Sequence, residues 1–166
     1  YNGVWNADTD KLIDFEMSEY YPNGSLLFEI YYLKSEERLD KAKDDSPIAE
    51  IELTLIYPTG KYFQPYIADS VKAIIANSYF GDGFELVKPQ TMLENFEQEY
   101  FNHYSELSNS GNDKEGPQFS WEKMINMSVI YNSNYLLCTE YLRYAYAGGA
   151  HGMTNLSYDI INLDLG

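Results

Sequence analysis

Basic residues are scarce in this chain: 11 Lys and Arg stand against 26 Asp and Glu, a formal charge of −15 over 166 residues. Nucleic-acid affinity rests mostly on Lys and Arg contacts to phosphate, so such a surface repels a polyanion and no nucleic-acid partner is expected. Cysteine occurs once, at Cys138, and no intrachain disulfide can form. Histidine occurs twice, at His103 and His151, with no His-x-x-x-His or His-Glu-x-x-His pair. A zinc hydrolase would have to assemble its site from distant carboxylates and at most two imidazoles, so no metal is expected. The apolar runs are far shorter than a bilayer-spanning helix requires. Gly-x-Ser-x-Gly, phosphate-loop and Gly-x-Gly-x-x-Gly motifs are all missing, and Gly148-Gly149 precedes a strand-like segment rather than a helix. Nucleotide binding by that route fails, and no cofactor is expected.

What remains is rich in apolar and aromatic residues, at 45% and 16%. That composition argues against disorder, and a chain of this size folded as one domain (1–166) buries roughly 70% of its unfolded surface. Cys138 shares strand parity with Leu136 and Leu142, which reads as a small buried hydrophobe without chemistry. The acidic excess would speed encounter with a cationic partner, although many acidic domains are merely soluble.

Along the chain, Tyr1 to Asp14 has no clear period. Asn6, Asp8 and Asp10 have the spacing that opens a calcium loop, but Lys11 stands where its glycine belongs and no glutamate closes it. Phe15 to Tyr21 and Leu26 to Leu33 read as two strands joined by Pro22-Asn23-Gly24 into a hairpin. The charged stretch Lys34 to Ser46 reads as a solvated loop or short exposed helix. Ile48 to Tyr57 alternates cleanly, with Ala49, Ile51, Leu53, Leu55 and Tyr57 on one face and Glu50, Glu52 and Thr54 on the other. Between Pro65 and Tyr79 the period becomes helical through Ile67, Val71, Ile74, Ile75 and Ser78, and Gly81 is placed to end the helix. A second helix, from about Thr91 to Leu107, carries the stripe Leu93, Phe96, Tyr100, Tyr104 and Leu107, more readily core than cofactor box. After the Ser/Asn/Gly/Asp-rich stretch from Ser108 to Pro117 come strands Phe119 to Tyr131, Tyr135 to Tyr146 and Met153 to Leu165, the first two joined at Asn132-Ser133-Asn134. Strands, helices and strands again predict an α+β domain: an antiparallel sheet with two amphipathic helices on one face and a long C-terminal β-meander.

The last corner of that meander is Tyr144-Ala145-Tyr146-Ala147-Gly148-Gly149-Ala150-His151-Gly152, where the glycines predict a wide, constrained hairpin. This Tyr-x-Tyr-x-Gly-Gly-Ala-His-Gly segment, with a following strand ending Asn162-Leu163-Asp164-Leu165-Gly166, resembles the signature of the PdaC-type domain. A weaker likeness, through the strand ending at Tyr57-Pro58, the helix and the hairpins, extends over roughly Ser46 to Gly166. Ala147 departs from the family, which commonly has Thr or another small polar residue there. The resemblance implies an exported bacterial domain of the kind found at the front of peptidoglycan deacetylases, in a lysozyme-sensing anti-sigma factor and in Bacteroidetes lipoproteins. It implies a periplasmic or cell-surface location, lipid anchoring in the full-length protein, and a following C-terminal domain that this chain would lack. It carries over no catalytic residue, because the deacetylase chemistry of such proteins resides in a separate domain.

The candidate ligand-binding residues are Tyr144, Tyr146, Gly148, Gly149 and His151. His151 has two readings: its ring forms a ligand contact with Tyr144 and Tyr146, or it bonds a turn carbonyl and holds the corner closed. Tyrosine, at 17 residues, includes the pairs Tyr20-Tyr21 and Tyr31-Tyr32, which place one ring on each strand face. Glu50 and Glu52 share a face as glycosidase carboxylates would, but alternating Glu is the ordinary form of a solvated strand face. The leading expectation is a non-enzymatic recognition or sensor module, a monomer that binds peptidoglycan or a cationic, lysozyme-like protein. The alternatives are an envelope glycan hydrolase using His151 and a carboxylate, or a deacetylase-associated domain, and a structural module that packs on a C-terminal domain and shows an apolar patch near Asn162 to Gly166.

Overall fold

The computed structural model describes residues 2–6, 8–9, 11–16, 21–59, 65–82, 84, 86–106 and 119–164. Strands β1 (Asn2–Asn6) and β2 (Lys11–Glu16) pair antiparallel as a two-stranded sheet. The main sheet runs in the order β3 (Phe28–Arg38), β4 (Ile48–Pro58), β5 (Trp121–Ser133), β6 (Leu136–Ala147), β7 (Met153–Asn162). Between β4 and β5 lie helices α1 (Pro65–Phe80) and α2 (Pro89–Glu106). The α+β class, the two helices and the C-terminal meander are as the periodicity indicates. Three of the four joins in this sheet are antiparallel; β4 and β5 run parallel, Ala49 opposite Trp121, because the chain crosses through both helices between them.

The helices cover one face of the sheet. Ile51, Leu53, Leu55 and Tyr57 of β4 are buried against Ile67, Val71, Ile75 and Tyr79 of α1 and Met92 and Leu93 of α2, while Ala49 packs in a second cluster with Leu39 and Tyr104 of α2. Full burial of each such aliphatic side chain contributes roughly 1.5–3 kcal/mol. Pro65 begins α1, and the N–H of Gly81 closes it by donating to the Asn77 carbonyl at 2.9 Å with φ of 102°. The Tyr79 hydroxyl reaches the Ile125 carbonyl at 3.2 Å, and Tyr100 of α2 donates to the Glu50 carbonyl at 3.0 Å. The tyrosines on the helices thus tie them to the strands beneath.

Several local expectations change. The hairpin expected of Phe15–Tyr21 with Leu26–Leu33 is not what the described residues make: β2 pairs with β1, β3 pairs with β4 from Phe28 opposite Pro58 to Arg38 opposite Ile48, and residues 17–20 lie outside the described residues. Lys34 to Arg38 are strand, not loop, because their pairing partners Ala49 and Ile51 are held in the core while Lys34 and Glu36 face water. Ile74 is exposed, and Tyr79 takes its place in the buried stripe of α1. The β5–β6 turn sits at Asn134-Tyr135, both at positive φ, rather than over 132–134. Cys138 keeps the parity of Leu136 and Leu142, but this is the face away from the helices; Leu137, Thr139 and Tyr141 are the buried set. Asn6 pairs with Lys11 across the first hairpin, while Asp10, Tyr20 and Leu107 lie outside the described residues.

Candidate functional site

Strand β6 delivers the glycine corner. Gly148 and Gly149 have φ of 83° and 104°, values that side chains other than glycine's rarely tolerate. At Gly152 the reason for glycine is contact: a Cβ there would fall 2.3 Å from the Tyr144 hydroxyl and 2.5 Å from its Cζ, so the Tyr144 ring lies directly across the backbone. The Tyr146 hydroxyl donates to the Gly149 carbonyl at 3.1 Å and laces the turn to the strand. His151 is exposed at the tip. The structure thus brings together Tyr144 with Gly152 and Tyr146 with Gly149.

Tyr144 and Tyr146 lie on the sheet face opposite the helices, and Tyr146 belongs to a row that crosses three strands. Glu50 of β4 is opposite Glu122 of β5, and Glu122 is opposite Tyr146 of β6. With Asp45, Ser46, Pro47, Ile48, Ser120 and Trp121 these residues line an open concavity of about 690 Å³. Among the described residues that line it there are three carboxylates and no basic side chain. They do not form a metal site: among the described residues no group of three or more His, Cys, Asp or Glu is arranged to hold an ion.

The nearest cation on this part of β5 points the other way. Lys123 lies on the helix side, its ammonium 4.5 Å from the Phe96 ring centroid and 5.7 Å from that of Tyr100. Burial lowers its pKa, with Glu99 pulling in the opposite direction. The floor under Glu50 is also aromatic: burial, followed by the charges around it, raises the Tyr100 pKa well above the ordinary tyrosine range, so its hydroxyl stays a donor. Glu52, the neighbouring acid on the outer face, pairs with Lys34 at 3.2 Å in full view of solvent, a bond of little energetic consequence.

The glycine corner was legible from the motif, whereas Glu50 reads from its strand only as part of a solvated face. Asp45 and Glu122 were not legible, since they meet Glu50 only across a turn and a parallel join.

No curated protein matches the chain. Among solved structures, a member of the DUF3298 family from Bacteroides fragilis is similar at 21% identity with a TM-score of 0.71, covering 86% of this chain and 59% of its own. A DUF3298 family protein from Pseudomonas aeruginosa is similar at 15% identity and a TM-score of 0.44, covering 84% of this chain and 53% of its own. The chain therefore spans between half and three fifths of these relatives, and the first likeness supports the fold. The family model described as deacetylase PdaC matches residues 42–154, which include both helices, the acidic row and the whole glycine corner. The chain belongs to the PdaC family.

Proposed function

We propose that this domain is an exported, non-enzymatic recognition module of the bacterial cell envelope, and that its partner at the glycine corner is a basic, lysozyme-like protein. The observation that carries this reading is the row Glu50, Glu122, Tyr146, joined by Asp45 in one concavity without a compensating cation among its described lining. Carboxylates around an aromatic ring suit a Lys or Arg side chain: the acids supply attraction and on-rate, the ring supplies contact area. The chain's net charge of −15 extends the same attraction to longer range.

The test is calorimetric titration with a lysozyme at low and at high salt, using the wild type, Tyr146→Ala and the double variant Glu50→Gln/Glu122→Gln. Saturable binding that weakens in salt and in both variants supports the reading. Binding indifferent to salt and to the double variant would remove it.

A second reading, in which the ligand is an envelope glycan such as peptidoglycan, is favoured by a different feature. Tyr21, Tyr66 and Tyr135 line one concavity at the far end of β6.

A further inference from the structure

At the end of β6 opposite the glycine corner, the chain enters from β5 through Asn134 and Tyr135, with φ of 51° and 61°. A two-residue turn with both residues in the left-handed region ordinarily carries Asn-Gly, and a tyrosine in the second position is strained. Three backbone bonds hold it there. Asn134 N–H donates to Asn23 at 2.8 Å, Tyr135 N–H to Gly24 at 3.2 Å, and Leu163 N–H to the Tyr135 carbonyl at 2.8 Å. Gly24, itself at φ 68°, has no room for a side chain: a Cβ would stand 2.8 Å from the first ring carbon of Tyr135.

The ring so placed forms one wall of a concavity of about 460 Å³, with Tyr21 and Tyr66 among its other walls. Tyr66, at the start of α1, is 60% exposed. Asn23, Ser25 and Asp164 are the polar side chains of the lining. A second concavity, of about 370 Å³, adjoins it and shares Tyr21, Pro22, Ser25 and Leu27.

We infer that this tyrosine cleft is a saccharide-binding site, for a neutral oligosaccharide of linked pyranose rings. Tyrosine faces offer flat apolar area to the C–H face of a sugar, and a carboxylate beside them accepts hydrogen bonds from its hydroxyls. Asp164 disfavours an anion. A pyranose ring sets several hydroxyl donors around the edge of an apolar C–H face, so a hydroxyl-rich ligand fits a lining of tyrosine rings with a carboxylate at its margin. The volume matches a small-ligand site, and the adjoining concavity gives a chain of more than one ring somewhere to continue.

This inference rests on the glycan reading of function and gives it a location. The experiment is a titration of the isotope-labelled domain with a tetramer of β-1,4-linked N-acetylglucosamine, followed by amide NMR shifts at low and high salt. Tyr66→Ala and Tyr135→Gly are run alongside, with a proline-rich peptide as a second probe. The expected result is saturable shifts at Asn23, Gly24, Ser25 and Asp164 that are unaffected by salt and weakened about tenfold or more in each variant. Glycine relieves the positive φ of the turn, so Tyr135→Gly stays folded, and its melting temperature is read alongside to separate lost binding from lost fold. Absence of saturable binding by the wild type overturns the glycan reading and the site together. Binding that survives both variants leaves the glycan reading standing and overturns the site. Loss of binding in salt, or tighter binding of the peptide through the same tyrosines, overturns the saccharide as the ligand class.

Discussion

The side chain of Asn132 pairs with both backbone groups of Leu26: its Oδ1 accepts from the Leu26 N–H at 2.9 Å, and its Nδ2 donates to the Leu26 carbonyl at 2.7 Å. An amide side chain here takes the place of a neighbouring strand, and it fixes the irregular segment that carries Pro22 to Leu27 against the end of β5. Leu26 is only 2% exposed, so water cannot replace the two bonds.

Asn132→Ala therefore leaves a buried donor and a buried acceptor unpaired, at about 1–3 kcal/mol each before relaxation. Denaturant unfolding is expected to show a loss of at least about 2 kcal/mol. Asn132→Asp keeps the acceptor and sets an anion against the Leu26 carbonyl, so it should be no better. A loss below 0.5 kcal/mol, on the order of an ordinary surface change, would mean that the segment is held by other contacts.

Gly152 and Tyr144 should be coupled. Gly152→Ala forces its methyl into the Tyr144 ring and is expected to destabilise by about 1–3 kcal/mol, the range for overpacking. In a Tyr144→Ala background the same substitution should become nearly neutral, so the double-mutant cycle closes with a coupling of more than 1 kcal/mol, within the range for residues in contact. Gly149→Ala meets nothing within 4 Å, and its penalty comes from φ alone; it should not be rescued by Tyr144→Ala.

Alkali should unfold this domain. Burial raises the pKa values of Tyr57, Tyr79, Tyr100, Tyr104 and Tyr141, to about 12 for Tyr104, where the charge of Glu37 adds to the effect of burial. Unfolded tyrosine ionises near 10, so the stability these groups hold is complete below pH 10 and is lost as pH rises through the raised values. Tyr104→Phe removes one of these titrations. Its buried hydroxyl has no hydrogen-bond partner among the described residues, so the variant should match or exceed wild-type stability at pH 7 and retain more of it near pH 11. Urea melts at the two pH values check both halves. An equal loss in both proteins between them would disprove the link.

The outer sheet face is unusually apolar at its edge. On that face Ile160 of β7 is 75% exposed, with Leu156 and Tyr158 exposed beside it, and Ile30 of β3, at the opposite edge of the sheet, is 72% exposed. The one charged side chain of β7, Asp159, is engaged by the Tyr141 hydroxyl at 2.8 Å. Edge strands are commonly guarded by charge, and this one is not. Ile160→Lys should reduce concentration-dependent association in sedimentation velocity while changing stability by less than about 0.5 kcal/mol. A larger stability loss would show that Ile160 is packed in the native monomer.

How much of this could be read from residues alone depends on how one-sided each element is. β4 and α1 each have one wet side and one buried side, so alternation and helical period locate them to within a residue or two at each end. β6 and β7 carry apolar residues on both faces, and a two-residue period cannot then say which face is core; the parity of Cys138 with Leu136 and Leu142 points to the wrong one for that reason. The charged end of β3 resembled a loop because its strand character comes from the partner strand and not from its own composition. At the glycine corner the motif named the residues, but the acids that give the corner its electrostatic character arrive from β5 and from the turn after β3. Local sequence has no record of that meeting.

The parallel join of β4 with β5 has a kinetic consequence. The β3–β4 hairpin and the β5–β6–β7 meander are each built from neighbours in sequence, but Ala49 and Trp121 meet only after roughly 70 intervening residues are gathered in, a closure whose length-dependent part is about 4 kcal/mol. Joining the two halves is thus the expected slow event of folding. Glu50 and Glu122 stand on opposite sides of that seam. A chain still unfolded would carry both halves of the acidic surface before it could present the surface itself, so that surface is a property of the finished fold alone.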